Sequence, residues 1–348
     1  MKAAVIKEPG KIVVEEVAAP KPNAGDVLLK IDACALCGTD QRVLKGEKHV
    51  DVPIVGHEIS GTVIATGKGV DGIKVGERYA VQTVIGCNKC PMCAIDRQNL
   101  CENGFKAIGY QWSGGFAEQM VMPAVGVKQG CLIPLPDSMS AEAGTLIEPL
   151  SCCVNGMRCI PLEGMDTVAV FGGGIIGVLN GLVAKARGAK RVVIFDVAQD
   201  RLNLLKSLGL PFDGFVNSRE NDPVKWIKSF TNGRGADAVV VAASVKQLVP
   251  VGLKMLARDG HLSIFAGMPK SEPVEPLDLN LIHYPELHVH GANSSVRRDY
   301  FEARDLIESG KVDAKALVTH TFSLDDFNKA VETQGNPAYG ALKVIIKP

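Results

Sequence analysis

Residues Thr167–Asp196, TVAVFGGGIIGVLNGLVAKARGAKRVVIFD, decide how the rest of the chain is read. The apolar run Val168–Phe171 enters a glycine cluster, an apolar helix-like stretch follows, and a second apolar run ends on Asp196. Gly172, Gly174 and Gly177 stand at G-x-G-x-x-G spacing, with Ile175 and Ile176 between the last two. That spacing serves a tight turn, close backbone approach to a pyrophosphate, and close packing of a helix on a strand. The helix opening there aims its N-terminal amides at the phosphates. Asp196 falls about 20 residues beyond Gly177, where a carboxylate holds the adenosine ribose hydroxyls of a dinucleotide. Two plainer readings compete. Thr167–Ala184 carries no charge and approaches the length of a membrane span. Five glycines and Asn180 interrupt it, however, and Lys185, Arg187, Lys190 and Arg191 follow at once. The second, a glycine-rich turn that binds nothing, leaves the acid at the end of the unit without a purpose.

Outward from this unit the chain keeps alternating. A strand at Arg191–Asp196 precedes a helix at Gln199–Leu208, then strand Gly214–Val216, helix Pro223–Phe230, strand Ala238–Ala242, helix Val245–Leu256 and strand Gly260–Phe265. Such alternation predicts a doubly wound parallel sheet with helices on both faces, over 151–289. Residues 1–150 read differently: short apolar or alternating runs are separated by proline and glycine turns, with little helical periodicity before about Ala141. The stretch 290–348, with helices at Arg298–Ser309 and Leu324–Thr333 and a strand at Ala341–Ile346, is expected to return and complete that first, β-rich domain. The fold class is therefore α/β with two domains.

At 348 residues two domains are the ordinary expectation. The formal net charge is zero, which removes any global electrostatic argument for nucleic acid or an anionic membrane as partner. Only four apolar residues separate Lys2 from Lys7, too few for the core of a signal peptide, so a cytoplasmic protein is expected. In a reducing compartment ten cysteines suggest metal ligation or catalysis rather than disulfides. Cys87, Cys90, Cys93 and Cys101 form C-x2-C-x2-C-x7-C. The two-residue steps let thiolates converge on one tetrahedral ion, and the longer loop returns the fourth. A closed thiolate shell leaves no open position, so a structural zinc is expected. A four-iron cluster shares the first two steps, but its pattern brings the next cysteine after three residues, and here the gap is seven.

Three further motifs are unremarkable singly: Cys37-Gly-Thr-Asp40, Gly56-His57-Glu58 and Glu148-Pro-Leu150. Cys34 and Cys37 also form a C-x-x-C step that could be a redox pair. Together, in this order and with the four-cysteine lobe and GGGIIG, they resemble the zinc-dependent medium-chain dehydrogenase/reductase superfamily across essentially the whole chain. Glu148 in EPL resembles the polyol dehydrogenase branch, sorbitol dehydrogenase among them. The resemblance implies a GroES-like catalytic domain plus a Rossmann domain. It makes Cys37 and His57 ligands of a second, catalytic zinc, with Glu58 or Glu148 as the third, and Thr39 the start of a proton relay. Gly172, Gly174, Ile175, Ile176, Gly177, Asp196 and Arg201 would hold the nicotinamide cofactor, and Asp196 favours NAD because it would repel a 2′-phosphate.

The implied activity is NAD-dependent oxidation of a secondary alcohol on a polyol, sugar alcohol or their phosphate. Oxidation of threonine at its β-hydroxyl, or of an aldonate, is the enzyme alternative. A non-catalytic zinc scaffold is the alternative of another kind, though a scaffold needs only the four-cysteine lobe. Self-association as a dimer or tetramer is expected. His283, His288 and His290 read as structural, since no acidic or thiol partner stands at matched spacing.

Overall fold

Strands β1 (Lys2–Glu8) and β2 (Lys11–Glu16) pair as an antiparallel hairpin, and β3 (Val27–Ala35) sends Val27, Leu29 and Ile31 inward while Lys30 meets water. β4 (Glu58–Thr66) runs antiparallel to β3 along its length, β5 (Arg78–Val81) follows β4, and the two-residue β6 (Val84–Ile85) and β7 (Lys106–Ala107) pair with each other. β8 (Gln119–Met122) joins the start of β3, and β9 (Leu132–Pro134) closes the far edge on β5.

Six parallel strands come next: β10 (Thr167–Phe171), β11 (Arg191–Asp196), β12 (Gly214–Asn217), β13 (Ala236–Val241), β14 (Leu256–Ile264) and β15 (His288–Gly291). Their order, β12-β11-β10-β13-β14-β15, is doubly wound, reversing direction beside β10. β10 and β13 are buried along their whole length, the mark of strands covered on both faces. Helices Ile175–Ala186, Gln199–Ser207, Pro223–Phe230 and Leu248–Met255 make the crossovers. The predicted α/β class holds, with its Rossmann-type parallel sheet.

The chain then returns to the first sheet through β16 (Val318–Ser323) and β17 (Lys343–Lys347), giving the order β16-β17-β3-β4-β5-β9. Phe116 and Phe327, 4.9 Å apart edge to face, sit in its core with Leu29, Met120 and Ile346. The structure describes residues 1–268 and 276–348 of this computed structural model, and they divide into one unit of Met1–Ser151 with Ser294–Pro348 and another of Cys152–Asn293. Among the described residues no helix is long and apolar enough to cross a membrane.

Among the elements that the sequence does not announce are the helix Gly38–Leu44 and β16. The helix Gly38–Leu44 has seven residues and no apolar period; its cap, Cys37, defines it. β16 lies between two helices, and its exposed positions blur the alternation.

Candidate active site

Ala35, the last residue of β3, pairs with Glu58 at the start of β4 and with Ile345 on β17. Cys37 after β3, His57 just ahead of β4 and Lys343 opening β17 therefore gather at one end of the sheet. Cys37 caps the helix Gly38–Leu44: the Thr39 N–H donates to its sulfur at 3.4 Å, and its own N–H donates to Asp40 Oδ2 at 2.9 Å. The other oxygen of buried Asp40 lies 3.3 Å from His57 Nδ1. One carboxylate thus holds the cysteine backbone and orients the imidazole, an outer partner that also raises ligand basicity. Gly56 enters this turn at φ +97°, and a Cβ there would come within 2.9 Å of Cys34 Sγ and the Phe116 ring.

Donor atoms of Cys37, His57 and Glu58 lie within 4.8 Å of one another. Thiolate, imidazole and carboxylate are zinc donors, and three of them leave a fourth position open. Glu58 forms a buried ion pair with Lys343, whose side chain is wholly inaccessible and also donates to the Leu36 carbonyl at 3.1 Å. Burial pushes the Glu58 carboxyl up to about 7 against the pull of Lys343. Glu148, half-buried, acts on Glu58 through its charge and is not one of the three converging donors. Thr39 stands half-buried in the first helical turn. Tyr110 lies 5.5 Å from the His57 ring, and Lys48 sits over Tyr110 at 4.5 Å. Gln41 Nε2 donates to the Val331 carbonyl, and Gln111 Oε1 accepts the Ala107 N–H.

The sequence reading passed over Asp40 and Lys343. Asp40 was visible in CGTD, but its role needs the cap. Lys343→Met should lower stability by about 3–5 kcal/mol, because it strands a buried carboxylate without its counter-charge. Guanidinium unfolding of the metal-stripped protein measures this, and an unchanged midpoint would show the pair to be energetically idle.

The four cysteines of the lobe converge as their spacing predicts. All are free thiols, with Cys87 and Cys93 sulfurs 4.0 Å apart and Cys90 and Cys101 sulfurs 3.9 Å apart. A tetrahedral ion with bonds of about 2.3 Å needs sulfur separations of about 3.8 Å. Cys90 caps the short helix Pro91–Ala94, accepting from the Cys93 N–H. Gly86 is obligatory, since a Cβ would lie 2.6 Å from Cys93 Sγ. The Asn103 amide and then the Lys89 N–H hold the Cys87 thiol down at about 6, whereas burial pushes Cys93 up to about 12. A shared dication reconciles these opposed tendencies, so the set fits a structural zinc.

In the other unit, Gly172 turns at φ +108°, and a Cβ on Gly177 would lie 1.8 Å from the Gly172 carbonyl, so helix and strand touch there. Gly174, the cap of helix Ile175–Ala186, has open space where a Cβ would stand. Asp196 Oδ2 accepts the Gly173 N–H at 2.6 Å and Oδ1 the Ala198 N–H at 2.8 Å. Arg201, expected with Asp196 among the cofactor-holding residues, lies against Gly173 and feels the Asp196 charge.

Comparison with known proteins agrees with this anatomy. Residues 23–137 match the alcohol dehydrogenase GroES-like domain, and 176–309 match the zinc-binding dehydrogenase family. Sorbitol dehydrogenase of Bacillus subtilis is 32% identical over 100% of this chain and 97% of its own. L-threonine 3-dehydrogenase of Thermococcus kodakarensis is 32% identical, covering 91% and 89%. A protein described as a zinc-binding dehydrogenase from Sinorhizobium meliloti, solved bound to NADP, superposes with a TM-score of 0.90 at 30% identity, covering 100% and 99%.

Proposed function

Because the chain belongs to the zinc-dependent medium-chain dehydrogenase/reductase superfamily, we propose that it oxidises the secondary alcohol of a polyol, sugar alcohol or their phosphate to the ketone. The observation that carries this is the contrast between two donor sets. Four sulfurs close one shell, while Cys37, His57 and Glu58 leave theirs open. In this reading Cys37, His57 and Glu58 would hold zinc, which would supply Lewis acidity toward the alcohol oxygen, and the glycine turn would hold a nicotinamide, which would supply the hydride acceptor. Asp40 fixes the His57 ring, and Lys343 balances the charge of Glu58. Thr39 Oγ1 takes the hydroxyl proton toward solvent, so the alcohol gives up one hydride and one proton. Glu148 acts as a second carboxylate near the set. Lys48 adds positive charge beside Tyr110, which suits hydroxyls and an anionic group on the substrate.

The reading takes NAD as the acceptor, on the strength of Asp196. Asp196→Gly should reduce NAD-over-NADP discrimination by about 10–100-fold, the worth of one charge-assisted hydrogen bond, with little change in kcat. Equal discrimination before and after would give the ribose role to another residue, with Arg201 the first to test. The protein would work in the cytoplasm as a homo-oligomer on a small molecule. A panel of polyols, polyol phosphates, aldonates and threonine, followed by NADH absorbance, tests the substrate class. Preference for threonine would move the chain to the amino-alcohol branch, whose Thermococcus member it also resembles.

A further inference from the structure

The Rossmann unit carries a set of imidazoles that alcohol oxidation does not use. β14 and β15 run parallel with His261 opposite His288 and Ser263 opposite His290. Because side chains alternate along a strand, residues 261, 288 and 290 share one face at the edge of the sheet. His261 Nδ1 and His290 Nε2 stand 3.0 Å apart, with ring planes 9° from parallel. The His288 ring stacks on His261 with 4.4 Å between centroids. His288 Nε2 meets Asp259 Oδ1 at 2.9 Å. The floor of this cluster is closed and its rim open: His261 is 8% exposed, the side chain of His288 47%. An acidic partner for the histidines thus exists after all, brought by the chain just before β14's second half.

We infer that His261 and His290, with His288 at the rim, form a binding site for a divalent transition ion of the zinc or nickel type. Imidazole nitrogens suit these ions. Two ligands on one ion, each at about 2.0–2.1 Å, are separated by about 3.0–3.4 Å, close to the spacing already present. Burial is the main cause that lowers the proton affinity of both His261 and His290. Asp259 orients His288 as an outer carboxylate does in metal sites. An ion here would tie β15, the outermost strand, to β14. Water completes its coordination on the exposed side.

The test titrates Ni2+ by calorimetry into the full, untagged chain with the metal it retains after desalting, and follows melting in parallel. One further Ni2+ per chain is expected, with a rise of about 2–4 °C in Tm. Both should vanish in His290→Gln, whose amide preserves a hydrogen bond to His261, and in His261→Asn. They should persist in His283→Asn, which lies outside the set in the helix Asn280–His283. Absence of the extra equivalent in the parent chain overturns the inference, as does its survival in His290→Gln. The metal content before titration reports separately on the dehydrogenase reading, so the two can fail independently.

Discussion

Replacing Cys37 by serine should remove one of two bound metal equivalents, leave melting nearly unchanged and lower turnover by about 10³-fold or more. Among the described residues the sulfur is one of three converging donors, and a serine hydroxyl, un-ionised at neutral pH, cannot take its place. Lewis-acid stabilisation of the developing alkoxide is worth several kcal/mol, and about 4 kcal/mol corresponds to about 10³-fold in rate. The fold should survive because Cys37 is partly exposed and a serine can still cap the helix Gly38–Leu44. Metal analysis and NADH production on the best substrate of the panel provide the check. Full activity with one metal lost would move the catalytic centre elsewhere.

Cys90→Ser should do the reverse. Its sulfur serves the closed set, caps Pro91–Ala94 and receives the Cys93 N–H, so its loss opens the lobe from Cys87 to Cys101. Metal binding at such a shell is folding free energy, because the scattered ligands of an unfolded chain do not form it. A loss of several kcal/mol is expected, read as a fall of about 6–15 °C in Tm, with the remaining folded fraction still turning over. If Tm held and catalysis vanished, the lobe would be part of the active centre.

How far the residues announced these features depends on where their partners lie. The glycine turn and the four-cysteine lobe were legible because each is local: Gly172 to Gly177 and Cys87 to Cys101 carry their geometry in their spacing. The open set needed the superfamily's motif order, since Cys37 and His57 are separated by a helix and a long turn. Lys343 was not legible. Within the expected apolar strand Ala341–Ile346 a lysine reads as a solvated position, and only pairing of β17 with β3 shows it buried against Glu58. His261 was missed for the same reason, because the register of two parallel strands, not sequence distance, sets it against His288 and His290. Asp196 and Arg201 both stand among the expected cofactor residues, but what sets Arg201 against Gly173, the packing of the helix Gln199–Ser207 on the turn, is not in the spacing.

The placement of β17 between β16 and β3 has a consequence for biosynthesis. About 300 residues separate Cys37 from Lys343, so at about 5–20 residues per second a ribosome takes about 15–60 s to supply the lysine after the cysteine. Throughout that interval Glu58 awaits its counter-ion, while the six parallel strands translated in between already have every neighbour they need. The inserted domain can mature first, and its host stays unfinished, with a bare carboxylate at its heart, until the final strand arrives.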